Sequence, residues 1–436
     1  MDDYSRRNSE VTTTSEVGWV RACLSKWSWY LWAVAGAFVL WCVWRWNQYR
    51  LIQKRKQSID LMCNKIPETE TIFVSVASYR DSQCPDTVFD LFEKAACPFR
   101  ITVGICQQNY PVDEDAVDGY KRLATHGVHD FSNRIRIHRL GADEAEGPML
   151  ARHLVEKHLY RNEKYYLIID SHTLFTPQWD LEVVEMFKKC QQWSAKPVLT
   201  MYPDDFKPYH RTWSLPNYDN QPGSYLRFKK FNDVTGIVEV EGPKFKRTPS
   251  NPVLSMFWGG CFSFGLGTQI KEVPFDPHCP YVFLGEEISM ACRLWTSGYD
   301  LYHPTKMLVY HMWERQRPTF WQQFNDKSEL HETRRQRENQ GYQRIKGLLG
   351  MTQDGQTILP PYGLGKVRTL SQYEDFIGIN MKQTQFISLS GVMGLPNHSK
   401  SSEVLTRFGT WKEFKNLQEV MKRQWKFNQA DMNIVN

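Results

Sequence analysis

The 436-residue chain has no Cys-x-x-Cys pair among its 10 cysteines, no internal repeat and no low-complexity stretch. The first absence argues against a structural zinc site. The other two argue against solenoid and fibrous architectures. Charge of one sign is also scarce: 54 basic against 48 acidic residues leave +6. No basic stripe accompanies that small excess, so no nucleic-acid partner is expected. What remains is a globular composition, 41% hydrophobic and 23% charged, long enough for one large domain or two ordinary ones. The aromatic share of 14% decides little, because several of the 16 Trp fall in one segment.

That segment is Trp27 to Trp44, 18 residues without a charge between Lys26 and Arg45. As a helix it spans roughly 27 Å, about one thin bilayer. Trp27, Trp29, Trp32, Trp41, Trp44 and Trp46 cluster toward its ends, as an interfacial belt does. A buried core helix is the alternative, but the segment stands outside any α/β pattern. The run is too long for a signal-peptide core, and no small-x-small cleavage site follows it. One transmembrane helix over 27–44 is therefore expected, after a disordered tail over 1–26 and before a charged stem over 45–70. Arg6, Arg7, Arg21 and Lys26 lie upstream; Arg45, Arg50, Lys54, Arg55 and Lys56 lie downstream. That count tips slightly toward a cytosolic C-terminal part. The cysteines leave the compartment open. Asn397-His398-Ser399 is a glycosylation sequon and a luminal hint.

From Thr71 the pattern changes. TIFVSVAS (71–78) reads as a buried strand, RITVGIC (100–106) as a second, Ile135–Leu140 as a third and YYLII (165–169) as another. Pro85-Asp86 opens a helix with Val88, Leu91, Phe92 and Ala95 on one face, and GPMLARHLVEKHL (147–159) reads as a further helix. The charged run Arg334–Arg344, with His331 before it, reads as a solvated helix. Strands alternating with helices imply an α/β domain with a mainly parallel sheet. Ligands of such sheets bind beyond the carboxyl ends of the strands. Two polar clusters lie at strand ends, Ser78-Tyr79-Arg80-Asp81 and Asp170-Ser171-His172. If both strands are central, the clusters share one crevice.

Asp170-x-His172 has the oxygen and nitrogen donors of a divalent-metal site, and such an ion stabilises a diphosphate leaving group. A turn-capping Asp beside a surface imidazole has the same spelling. Farther on, Gly259 and Gly260 stand between aromatic residues in FWGGCFSF (257–264), where a backbone can approach a ligand closely. Glu286-Glu287 and Val309-Tyr310-His311-Met312-Trp313 follow.

Seven blocks in order then resemble a known family. They are VSVASYRD ending at Asp81, EGPMLARHL (146–154), IIDSH (168–172), GGCFSFG (259–265), FDPHCPYVFLGEEISMACRLWTSGYDLYHP (275–304), VYHMWER (309–315) and YGLGKVRTLSQYEDF (362–376). The chain resembles the polypeptide α-N-acetylglucosaminyltransferases, of the type that modifies hydroxyproline on Skp1, and more distantly the polypeptide N-acetylgalactosaminyltransferases.

The resemblance implies a GT-A-type domain over 71–380 and a C-terminal extension over 381–436. It implies Mn²⁺ or another divalent cation on Asp170, His172 and His311. It implies nucleotide-sugar binding by Ser78, Tyr79, Arg80, Asp81, Arg152, Gly259 and Gly260, and catalytic positions at Glu286 and Glu287 beside the sugar and acceptor. Glu287 stands where the galactosaminyl relatives carry Asn, so their donor preference does not transfer. A helix N-terminus favouring acidic residues would also explain the Glu pair, and Arg152 also fits an ordinary surface helix. The implied reaction moves GlcNAc from UDP-GlcNAc to a polypeptide Ser, Thr or hydroxyproline hydroxyl, with retention and without a covalent nucleophile; the alternatives are a related transferase using another UDP-sugar or a glycan acceptor, and a non-catalytic interaction protein on the same scaffold. Anchored relatives imply a Golgi type II protein with residues 45–436 luminal, against the charge count. The roughly 50 residues after Ser388 match nothing in the family and are too few for the lectin domain of the galactosaminyl relatives.

Overall fold

The computed structural model describes residues 36–47, 63–124, 130–206, 221–314, 320–323, 329–352 and 358–388, with positions 50, 61 and 391 besides. The chain divides into two units, Met1–Ile66 and Pro67–Asn436. In the first, residues 36–47 are helical with exposed side chains. The expected span over 27–44 falls only partly within the described residues, and among these no helix is long and apolar enough to cross a membrane. The expected tail over 1–26, much of the stem over 45–70, Asn397 and nearly everything after Ser388 lie outside them.

The second unit opens with the expected alternation. It runs β1 (Ile72–Tyr79), α1 (Cys84–Lys94), β2 (Ile101–Asn109), α2 (Ala116–Ala124), β3 (Ile135–Gly141), α3 (Pro148–Leu159) and β4 (Tyr165–Asp170). Then come β5 (Thr173–Phe175), α4 (Trp179–Cys190), β6 (Pro197–Thr200), β7 (Asp204–Asp205), β8 (Arg227–Phe231), β9 (Val238–Glu241), β10 (Val253–Ser255) and β11 (Phe262–Leu266). The chain continues through α5 (Glu286–Thr296), β12 (Asp300–His303), β13 (Val309–His311), α6 (Glu329–Leu348) and α7 (Leu370–Ile377).

Eight strands form one sheet in the order β10-β12-β6-β11-β4-β1-β2-β3. Its β4-β1-β2-β3 half is parallel, as is the β6–β12 pair; β11 runs antiparallel to both neighbours, and β10 antiparallel to β12. Four of the seven pairings are thus parallel, which agrees with the α/β reading. Strands covered on both faces read as continuous apolar runs. Accordingly Ile72, Phe73, Val74 and Val76 of β1 and Tyr165 to Ile169 of β4 are buried. Each such aliphatic side chain contributes roughly 1.5–3 kcal/mol on burial. Pro85 sits in the first turn of α1, where its missing N–H costs nothing, and Val88, Leu91 and Phe92 face the core.

One expectation needs correction. The Arg334–Arg344 stretch lies in α6, but that helix is not simply solvated. Arg337 makes a two-pronged ion pair with Glu146 and lies over the Tyr281 ring, Arg344 pairs with Asp276, and Ile345 and Leu348 are buried. The polar residues that made the run look exposed are the ones that dock it. At the C-terminal side, Ile379–Asn380 pairs with Gln385–Phe386.

Candidate active site

Register brings the site together. In the parallel half, Ala77 of β1 lies opposite Asp170 of β4, so the segments after both strands leave the sheet side by side. Phe262 of antiparallel β11 lies opposite Ile169, which sets Gly259–Cys261 against the same edge. A smaller sheet, β5-β13-β7, pairs His311 with Thr173 and with Asp205. Three distant stretches of sequence thereby meet beyond the carboxyl end of β4.

Asp170, His172 and His311 each offer one ligand atom, and these atoms lie within 4.8 Å of one another. His311 Nε2 stands 3.0 Å from Asp170 Oδ2, and the two imidazole rings are 4.5 Å apart at 63°. His172 Nδ1 is 2.7 Å from Asp81 Oδ2, which also accepts from Ser171 Oγ at 2.7 Å. An ionised carboxylate only accepts, so Nδ1 carries the proton and Nε2 keeps its lone pair. A carboxylate behind a ligating imidazole fixes its tautomer and raises its basicity. Burial pushes the Asp170 carboxyl up, but the hydrogen bond from His311 and the charge of Arg152 outweigh it and hold the group well below the usual range. One ionised oxygen and two nitrogens fit a borderline divalent cation such as Mn²⁺.

The charge network continues inward through Arg152 of α3. This fully buried guanidinium donates to Asp170 Oδ1 and to the Gly260 carbonyl, both at 2.9 Å, and to Glu286 Oε1. Arg152 is therefore not a surface helix residue. Glu286 is buried against it at the start of α5, more than an acidic helix cap requires. Burial pushes the Glu286 carboxyl up, and Arg152 pulls it back. Glu287 accepts from the Gly260 amide at 3.1 Å and from the Tyr202 hydroxyl. Burial lifts its carboxyl to about 7 against both hydrogen bonds, with the charge of Glu286 adding to the rise.

The remaining expected residues are placed differently from the simplest reading. Of the Ser78–Asp81 cluster, Asp81 touches the metal cluster through His172. Ser78 is buried, with its carbonyl accepting from Gln108 at 3.2 Å. Arg80, at φ 47°, turns to Asp113 at 2.8 Å and lies over the Tyr110 ring. Tyr79 packs edge-on against Phe320 at 5.1 Å. The glycines have a reason inside the protein: a Cβ on Gly259 would meet the Tyr202 ring at 3.0 Å, and one on Gly260 would meet Arg152 Nη1 at 3.1 Å.

Two site residues escape the sequence reading. Tyr202 follows β6 by two positions, so the strand-end rule that picked out Asp170 applies to it equally. Trp313 lies inside a quoted block without a role; its ring is 4.3 Å from that of His311, and its Nε1 donates to the Pro203 carbonyl at 3.2 Å.

Known proteins place the chain in a family. The family model "Glycosyltransferase (GlcNAc)" matches residues 71–127 and 120–383. No curated protein matches. Among solved structures, the chain is similar to GalNAc-T7 with UDP, GalNAc and Mn²⁺, at 14% identity and a TM-score of 0.45. That match covers 78% of this chain and 58% of the other, so the chain spans less than two thirds of GalNAc-T7. It is also similar to S. aureus TarS 1–349 in complex with UDP-GlcNAc, at 9% identity and a TM-score of 0.37, covering 66% and 78% of the two chains. The family match runs from the first strand of the central sheet to the strand pair beyond α7, well over half the sequence, and the chain belongs to the GlcNAc glycosyltransferase family.

Proposed function

We propose that the chain is a GT-A-type, metal-dependent transferase that moves GlcNAc from UDP-GlcNAc to a polypeptide hydroxyl, on Ser, Thr or hydroxyproline, with retention at the anomeric carbon. The observation that carries this reading is the buried run of polar contacts from His311 through Asp170 and Arg152 to Glu286. It joins a metal-competent cluster to a second acidic position, the layout a nucleoside diphosphate-sugar asks for.

A divalent cation bound by Asp170, His172 and His311 supplies positive charge at the diphosphate. The chain's own residues do the positioning. Asp81 fixes the His172 tautomer, and Arg152 keeps Asp170 ionised while holding Glu286 beside it. Glu287, anchored by Tyr202 and the Gly260 amide, stands next to Glu286 in sequence at the start of α5. In the transfer, the bond from the anomeric carbon to the phosphate oxygen breaks and the bond to the acceptor oxygen forms on the same face. The acceptor proton passes to the departing phosphate, so catalysis rests on orientation and charge.

The test is UDP release by the detergent-solubilised chain with UDP-GlcNAc, UDP-GalNAc or UDP-glucose, in Mn²⁺ and then in excess EDTA. Preference for UDP-GlcNAc, loss in EDTA and recovery with Mn²⁺ are expected. Preference for another sugar reassigns the donor, and full activity in EDTA overturns the metal.

The same reading makes it a single-pass type II protein of the Golgi membrane, with the catalytic unit luminal. The uncharged Trp27–Trp44 run supports an anchor, and Cys97 is disulfide-bonded, which suits an oxidising lumen. Protease protection of the C-terminal part in sealed vesicles is expected; digestion without detergent reverses the orientation.

A further inference from the structure

His172 hangs from the short link between β4 and β5, Ser171-His172. A link of that length has no periodic structure to hold it, and α1 grips it from the side. Thr87, near the start of α1, is buried. Its hydroxyl donates to the Ser171 carbonyl at 2.9 Å and accepts from the Thr173 amide at 2.9 Å. A hydroxyl donates and accepts at one atom, so a single side chain brackets His172 on both sides. One helical turn on, Asp90 lies on the same face of α1, fully buried, and accepts from the Phe175 amide at 2.6 Å.

The other backbone groups of the link are tied as well. Thr173 Oγ1 donates to the Asp170 carbonyl at 2.8 Å, and the Met312 amide to the His172 carbonyl at 3.1 Å. The helix has its own attachments: Val88, Leu91 and Phe92 hold it to the core, and the Thr87 amide bonds to the Gln83 carbonyl at 2.9 Å. A Thr hydroxyl inside a helix commonly bonds back to a carbonyl of the preceding turn. Here it reaches a segment 84 to 86 positions away instead. Asp81 orients the His172 ring but does not place the backbone that carries it. His311 is held separately, in β13, with Thr173 as its pairing partner. A shift of the link would therefore move Asp170 and His172 against His311.

We propose that Thr87 is a positioning residue for the metal cluster. Its hydroxyl fixes the backbone before and after His172, and with it the spacing of the ligand atoms of Asp170, His172 and His311. The inference rests on reading that cluster as a divalent-metal site.

Calorimetric titration of the detergent-solubilised full chain with Mn²⁺, below the melting midpoint of each protein, tests it. Thr87→Val keeps the size and the branch at Cβ but neither donates nor accepts. Its Mn²⁺ affinity is expected to fall about tenfold or more, the effect of losing a group that orients a metal ligand. Thr87→Ser keeps the hydroxyl and loses a methyl group, and its affinity is expected to stay close to the parent's. A role confined to packing would give the reverse order. Unchanged affinity in the valine variant, or a loss of about tenfold in the serine variant, overturns the proposal. The serine arm stands whether or not the valine variant folds. A parent that takes up no Mn²⁺ overturns the metal reading itself, and the role of Thr87 with it.

Discussion

Asp81 shows how a residue can be recognisable from local sequence while its partner is not. Its place after a buried strand marks it as a site residue. That it serves His172 follows from β1 and β4 lying side by side, a long-range register no local pattern records. The Asp170-x-His172 pair was legible because strand exit and chemistry coincide in one tripeptide. The contribution of His311, 141 positions from Asp170, rested on family resemblance until the fold brought it within 3.0 Å. Asp81→Asn keeps the size and one acceptor oxygen but loses the charge behind His172. Mn²⁺ affinity is expected to fall about 10–100-fold, as measured by calorimetric titration, with activity recovered at high Mn²⁺; unchanged affinity would show that Asp81 does not tune the ligand. Glu286→Gln addresses the other end of the network. It leaves the three metal-ligand candidates in place and removes one of the two carboxylates on buried Arg152. UDP and Mn²⁺ binding are expected to persist while transfer drops about tenfold to a hundredfold, the effect of one charge-assisted hydrogen bond worth roughly 1.5–3 kcal/mol. Equal loss of nucleotide binding would make Glu286 a structural residue.

Among the elements, the β-branched strands and α1 were readable because each announces itself within eight to twelve residues. The short strands β5, β7, β10 and β13 were not: two or three residues carry no period, and their existence depends on partners far along the chain. Helix α6 was readable as a helix and misread as to its surroundings, since many of its contacts are made by charged side chains and by a glycine, beside buried Ile345 and Leu348. At Gly341, α6 passes close against the loop leading into α5. A Cβ there would meet Val282 Cγ2 at 2.7 Å, the Pro280 carbonyl oxygen at 3.0 Å and the Cys279 carbonyl carbon at 3.3 Å. Val282 is fully buried and has no room to yield. Gly341→Val is therefore expected to destabilise the protein by about 1–3 kcal/mol through overpacking, despite the flexibility that glycine brings to a helix. Denaturant melts measure this, and a midpoint equal to the parent's would place α6 farther from that loop.

For the whole molecule, pH exposes buried chemistry that neither composition nor net charge reveals. Among the described residues burial raises five carboxyls: Glu156 to about 8, Asp90 and Glu287 each to about 7, with Glu286 and Glu374 also shifted upward. Each of them binds a proton in the folded chain at pH values where the unfolded chain, near 4, has already released it. The stability they lend is complete below the unfolded value and is lost as pH rises through the folded one, by up to ~1.4 kcal/mol per pH unit for each group. Groups shifted the other way act elsewhere. Glu70, lowered to about 2, loses its contribution only in acid, and buried His303, lowered to about 3, ceases to oppose folding once pH passes its ordinary value near 6.5. Between pH 6.5 and 8 the raised carboxyls are left to dominate, so the melting temperature is expected to fall across that interval. Near its upper end Glu156 acts almost alone. Glu156→Gln retains an acceptor for the Phe275 amide and a partner for the Tyr166 hydroxyl but has no proton to lose. Its melting temperature is expected to match the parent's near pH 4, to lie above it by pH 6, and to decline less between pH 6 and pH 8. Parallel curves for the two proteins across that range would show that Glu156 is already ionised in the folded state, and that the charge balance between α3 and α5 differs from the one its burial implies.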